Sequence, residues 1–185
     1  LLVDADLSRK LERTEAAACA RMVECRARLS PQTGAKWIEV GGAYAMFDGP
    51  ESPITQSFGL GMFDDVTLAH LDEIEDFFAS NGAAAYHEIS PLAHKPLWPM
   101  LTDRGYQPFE FTNILYLDLE ANPPLPAPPA ALTVRLVASP VDCETFARTQ
   151  ARGWIEQAGV SDLIYDLAMI TAKREGQGSF MVEKD

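Results

Sequence analysis

Helical periodicity dominates the hydrophobic pattern of this chain. Apolar residues recur every three to four positions in five segments, which is typical of amphipathic helices. The predicted helices span residues 6–29, 67–80, 96–104, 141–154 and 161–174. In the first of them Asp6 is the expected N-cap, and the expected core-facing stripe consists of Leu7, Leu11, Met22 and Leu29.

Short apolar stretches between these helices, most of them alternating with polar residues, predict β-strands. They cover residues 37–47, 54–62, 83–89, 109–119, 132–137 and 179–184. The turn-forming segment 48–53 predicts a hairpin between the first two strands, and Gly41-Gly42 inside the first strand predicts a β-bulge. This succession of helices and strands indicates an α/β (α+β) fold.

A proline-rich segment divides the sequence into two parts. Five prolines fall within residues 120–129, and proline fits neither a helix interior nor a central strand. We therefore expect a first domain over residues 1–119, a stiff linker over 120–131 and the N-terminal part of a second domain over 132–185.

The net charge of −12 argues against a nucleic-acid partner, because binding to phosphates needs clustered Lys and Arg. The same charge favours a cationic or amine ligand through electrostatic steering. No apolar run reaches about 18 residues, so we expect no membrane span, and the first residues lack a signal-peptide pattern. A cytoplasmic protein with reduced thiols is expected, since no C-x-x-C pair occurs among Cys19, Cys25 and Cys143.

Several short motifs follow one another in a recognisable order. In the first domain they are H-E-I-S-P-L-A at 87–93, L-T-D-R-G-Y at 101–106 and F-E-F-T-N-I-L-Y at 109–116. After the linker, T-V-R-L at 133–136 and D-C-E-T-F at 142–146 begin a second series. Together with the order of elements over residues 7–119, these motifs resemble the GNAT acetyltransferase superfamily in its tandem form. The resemblance implies a mixed, mostly antiparallel sheet flanked by helices, then the start of a second GNAT-like domain in a polypeptide that continues beyond Asp185.

That resemblance implies an N-acetyltransferase that uses acetyl-CoA as co-substrate, with a small-molecule amine or a peptide N-terminus as acceptor. In the family, backbone N–H groups of a glycine-rich loop hold the pyrophosphate. Here the corresponding loop, Met62 to Val66, contains two carboxylates and no glycine. The first copy is therefore expected to be degenerate and the chemistry to lie in the second. The alternative is a non-catalytic ligand-binding or dimerisation module that kept the fold, and a homodimer stays open.

The resemblance also suggests candidate binding residues. In the first copy the cofactor candidates are Gly59, Gly61, Phe63 and Val66. The two glycines would leave a groove for an extended ligand, and close packing of the next helix is the alternative explanation for them. In the second copy the substrate candidates are Trp154, Tyr165 and Asp166, for which amphipathic packing is again the alternative. The catalytic acid and base stay unassigned, because Trp98 stands near the place of the family's tyrosine.

The three histidines do not predict a metal site. No two of His70, His87 and His94 have ligand spacing with a further ligand nearby. His87 and Glu88 are neighbours on a predicted strand, so their side chains face opposite ways. Either one alone could act as a base in a cleft or have a purely structural role.

Overall fold

The computed structural model of the protein describes residues 4–121, 124, 126–127, 129, 131–158, 161–176 and 178–184. Within these residues the chain forms five α-helices and two small sheets, which confirms the mixed α/β class. The helices are α1 (Ala5–Leu29), α2 (Leu68–Ser80), α3 (Leu97–Asp103), α4 (Pro140–Ala158) and α5 (Ser161–Lys173). The strands are β1 (Lys36–Val40), β2 (Ala43–Phe47), β3 (Ser57–Phe58), β4 (His87–Glu88), β5 (Leu132–Leu136) and β6 (Phe180–Lys184).

Helix α1 lies where it was expected, but the predicted cap and the predicted core face were both wrong. The cap is Asp4, whose Oδ1 accepts a hydrogen bond of 2.8 Å from the backbone N–H of Leu7. The buried face carries mainly small and polar residues at helical spacing: Ser8, Glu12, Ala16, Ala20 and Val23. Alanines allow the helix to approach the sheet closely, and the leucines of the predicted stripe are left at the sides of that contact.

The four-stranded sheet has the order β1-β2-β3-β4. Strands β1 and β2 form an antiparallel hairpin, with Trp37 opposite Met46 and Val40 opposite Ala43. Gly41 and Gly42 make its turn with φ values of 55° and 74°, the two consecutive positive values that a two-residue type I′ connection requires. The predicted bulge at these glycines was therefore wrong, because they close a hairpin.

Strands β3 and β4 are much shorter than the sequence suggested. Strand β3 pairs antiparallel with β2, which confirms the expected pairing across 48–53. It ends after Phe58 because Gly59 adopts a φ of 77°, which no extended strand continues. Strand β4 then pairs with β3 in parallel.

The predicted long strand at 109–119 does not form in the described structure. No backbone hydrogen bond joins this segment to another part of the described chain, and Phe111 and Leu115 are 88% and 93% exposed. An alternating sequence becomes a strand only when an edge lies within bonding distance. Here a groove separates the segment from β4.

Helices cover both faces of this sheet. Helices α2 and α3 bury Leu71, Ile74 and Phe78 together with Leu97 on one face. On the other face α1 packs its alanines and Val23 against Met46 and Phe58. The sheet is thus a central layer, and its β4 edge carries no further strand among the described residues.

The C-terminal elements form a smaller layer. Strands β5 and β6 pair antiparallel, so the last strand has a partner within the described residues. Helices α4 and α5 pack on each other, and α5 also contacts α1. Of the predicted linker, residues 122, 123, 125, 128 and 130 lie outside the described residues, as does Asp185. None of the helices in the described part is long and apolar enough to cross a bilayer.

Candidate functional site

A groove of about 930 Å³ runs along the open edge of β4. One wall is formed by β4 and the residues around it, from Tyr86 to Ser90. The opposite wall is the unpaired segment from Gln107 to Tyr116, and α1 contributes Ser8 and Glu12. The hydroxyl oxygens of Ser8 and Ser90 lie 3.0 Å apart, which ties α1 to the loop after β4 at the side of the groove.

Glu12 is the most unusual group in this groove. It is only 5% exposed, and burial, followed by the charges of Glu88 and Glu15, raises its pKa from 4.5 to about 7. The nearby backbone N–H of Gly59 opposes that increase in pKa. A carboxyl group with a pKa near neutrality can hold or release a proton at working pH, as a general acid or base must.

Two further carboxylates, those of Glu88 and Glu15, act electrostatically on Glu12, and the exposed Glu110 acts on Glu88. The pKa of Glu88 is raised by burial and by the charges of Glu15 and Glu110, and burial raises the pKa of Glu15. Among the described residues none of these four carboxylates makes a salt bridge. Like charges that share a poorly solvated region without a cation are costly. A bound cation would remove that cost.

His87 contributes a neutral donor or acceptor on the same edge. Burial lowers the pKa of its imidazole to about 4. The Ser57 hydroxyl lies 2.7 Å from Nδ1, and the ring stacks at a tilt on Tyr106, with 4.9 Å between centroids. Nε2 is buried and has no hydrogen-bond partner in the described structure. An unpaired buried ring nitrogen is uncommon in folded proteins.

The candidate cofactor residues are packed together near the sheet. A Cβ on Gly59 would lie 2.8 Å from the Phe63 ring, and one on Gly61 would lie 3.1 Å from Leu97. Val66 is 4% exposed in the core. The two glycines therefore allow close packing here and do not line an open channel.

Three further contacts hold the loop after β3 in this closely packed arrangement. The backbone N–H of His94 donates to the carbonyl of Gly61 at 2.7 Å, and the His94 ring lies 3.3 Å from Asp65. The guanidinium of Arg13 sits 3.9 Å above the Phe63 ring. Asp64 and Asp65 stay exposed, so the loop presents carboxylates to solvent where a pyrophosphate would need donors.

The structure does not bring the candidate substrate residues into one site. Trp154 on α4 is 48% exposed. On α5, Tyr165 lies near the guanidinium of Arg148 at 5.9 Å, while Asp166 points to α1 and accepts a hydrogen bond from Arg26. A cavity of about 230 Å³ between α4 and α5 is lined by other residues of these helices.

Sequence reasoning missed Glu12, and a signal for it existed. Ser8, Glu12, Ala16 and Ala20 repeat at intervals of four, which places them on one helix face. The larger leucines on a neighbouring face dominated the pattern and hid this series. His87 and Glu88 were expected to face opposite ways, with either one alone a possible base in a cleft, and the sheet edge lets both line the groove from opposite faces.

Comparison with known proteins identifies no relative. A scan against models of protein families, a search of curated proteins and a search of solved structures gave no match to this chain. The described residues also contain no grouping of three or more His, Cys, Asp or Glu side chains suited to a metal ion.

Proposed function

We propose that the first part of this chain binds a cationic amine in the groove beside β4. The ammonium lies against Glu12 and Glu88, and the apolar side chains of the groove cover the rest of the ligand. The observation that carries this proposal is the buried carboxylate of Glu12 beside the half-buried Glu88, neither of which makes a salt bridge among the described residues. An ammonium ion supplies the missing charge, and its three N–H donors can reach several carboxylate oxygens.

Two functions follow, depending on what happens to the bound amine. The first is a non-catalytic amine-binding module with a GNAT-like fold. The exposed Asp64 and Asp65 favour it, because a loop of this kind repels the pyrophosphate of CoA. The close packing of Gly59 and Gly61 also favours it, since no open channel for a pantetheine arm lies beside them.

The second function is acetyl transfer from acetyl-CoA to that amine, which the sequence resemblance implies. The amine nitrogen attacks the thioester carbonyl, the new C–N bond replaces the C–S bond, and the CoA thiolate leaves. The proton lost by the amine needs an acceptor. Glu12 favours this function, because its pKa of about 7 suits proton transfer. Because the loop of the first copy carries two carboxylates and no glycine, acetyl-CoA is expected in the second copy, and this second proposal requires that its thioester reach the amine in the groove beside Glu12.

Calorimetry with butylamine and with the neutral isostere butanol tests the shared part of both proposals. We expect butylamine to bind and butanol to bind at least about tenfold more weakly, because only the ammonium pairs with the carboxylates. Glu12→Gln should weaken butylamine binding, while Glu73→Gln, on the exposed face of α2, should leave it unchanged. Equal binding of amine and alcohol would rule out the carboxylate cluster as the recognition element.

An acetyl-CoA assay then separates the two functions. The binding module predicts no acetyl-CoA binding at tens of micromolar and no release of free CoA thiol in the presence of butylamine. The acetyltransferase predicts both, with a rate that falls in Glu12→Gln if this residue accepts the proton. Release of CoA that is insensitive to Glu12→Gln would place the base elsewhere.

A further inference from the structure

The outer edge of β4 offers free backbone groups to the groove. The N–H of Ser57 donates to the carbonyl of Tyr86 at 2.9 Å, and Ser57 is paired with His87 in a parallel register. In a parallel ladder, alternate residues bond to the same neighbour. Tyr86 and Glu88 therefore direct their backbone groups toward β3, and His87 directs its N–H and carbonyl into the groove.

The opposite wall has the composition of a strand without a partner. Its sequence alternates apolar and polar residues from Phe109 to Thr112 and is continuously apolar from Ile114 to Leu117. None of its backbone groups bonds to another backbone group in the described chain. Ile114 and Tyr116 line the groove. The rings of Tyr86 and Phe109 meet edge to face at 5.7 Å and join the two walls at one end.

The space between these walls suits a short stretch of extended polypeptide. The spacing of strands, the rise per residue and the thickness of a sheet layer give roughly 160 Å³ for each residue of a strand. The groove of about 930 Å³, part of which extends over α1 and α3, therefore has room for at most about six such residues. An inserted strand would satisfy the free groups of His87 on one side and those of the 107–117 segment on the other.

Charge indicates what such a strand must carry. Glu12, Glu88 and Glu110 line the groove and have no salt bridge in the described structure. A strand with a lysine, an arginine or a free N-terminus complements them. A second copy of this chain does not, because its own exposed segment brings Asp118 and Glu120 into a protein of net charge −12.

We propose that the groove binds an extended peptide segment of another molecule, which adds as a strand to the free edge of β4 and places a basic group between Glu12 and Glu88. The inference rests on the proposed amine binding and narrows the ligand from any amine to a polypeptide. Backbone hydrogen bonds to the N–H and carbonyl of His87 supply affinity.

Three blocked peptides of about six to eight residues test the strand geometry. The parent alternates valine and threonine around one central lysine, the second replaces lysine with norleucine, and the third is N-methylated at alternate backbone nitrogens. Titrations use the full chain and monitor amide hydrogen exchange. We expect the parent peptide to bind and to protect the amide of His87 from hydrogen exchange. Replacing the lysine with norleucine, or methylating the backbone nitrogens, should each weaken binding about tenfold or more.

The outcomes separate this inference from the amine proposal. If butylamine binds and the N-methylated peptide binds as well as the parent, the strand geometry is wrong and amine binding stands. If neither butylamine nor the parent peptide binds, both proposals fail. A dimer in sedimentation whose His87 amide is protected before any peptide is added would overturn the inference in favour of a second copy. Glu88→Gln should weaken the lysine peptide and leave the norleucine peptide unchanged.

Discussion

The pKa of Glu12 predicts a specific dependence of stability on pH. In the folded protein the pKa is about 7, compared with an ordinary value of 4.5. A carboxyl group whose pKa is higher in the folded than in the unfolded protein destabilises the folded state when it ionises. Its penalty is therefore absent below the unfolded value, grows as the pH rises from about 4.5 to 7, and is fully present above pH 7.

The size of that penalty follows from the two pKa values. Each pKa unit corresponds to about 1.4 kcal/mol, so ionised Glu12 costs on the order of 3 kcal/mol above pH 7. Glu12→Gln removes the charge and keeps a side chain of similar size. We expect the variant to gain about 2 to 3 kcal/mol relative to the native protein between pH 5 and pH 8.

Urea denaturation of both proteins at several pH values measures this difference. Glu73→Gln is the matched control, because Glu73 is exposed on α2. This variant should have the same free energy of unfolding as the native protein at every pH. A Glu12→Gln variant whose stability relative to the native protein does not change between pH 5 and pH 8 would refute the reasoning. So would a variant that becomes relatively less stable toward pH 8.

Other predictions concern packing and organisation. Arg26 forms a buried ion pair with Asp48, with 2.8 Å between Nε and Oδ1, and also pairs with Asp166. Arg26→Met should therefore lower the free energy of unfolding by about 3 to 5 kcal/mol in urea denaturation, because it leaves the buried carboxylate of Asp48 unpaired. Asp166→Asn, at the exposed end of the same network, should change it by at most about 1 kcal/mol, and equal losses would contradict this account. Gly59→Ala should destabilise the protein more than Gly34→Ala. Both glycines have positive φ, but only at Gly59 would the added Cβ meet an aromatic ring, that of Phe63 at 2.8 Å. Limited proteolysis should cut first within 120–131, and a first cut inside the sheet would contradict the boundary.

The helices could be predicted from sequence because their signals are local. Thr67, the first residue of the predicted helix, caps α2 with its hydroxyl accepting a hydrogen bond from the N–H of His70, and Gly82 follows the end of that helix with a φ of 71°. Periodicity, caps and stops all lie within a few residues of one another. The same holds for β5 and β6, whose bounds fall within two residues of the prediction.

The short strands and the groove could not be predicted in this way. The end of β3 depends on the backbone conformation of Gly59, and a glycine in sequence does not reveal the sign of its φ. The groove arises because β4 and the 107–117 segment lie apart, which is a tertiary property. Glu12 became part of the site only through the burial of α1 against the sheet.

The most direct test of the amine proposal is the pKa of Glu12 with and without a bound amine. Carbon-13 NMR of the glutamate side-chain carboxyls, assigned through Glu12→Gln, follows this titration in the full chain. A bound ammonium stabilises the carboxylate, so in saturating butylamine we expect the pKa to fall from about 7 toward 4.5, the ordinary value for this group. The same pKa in the presence and absence of butylamine would contradict the proposal that the amine lies against Glu12.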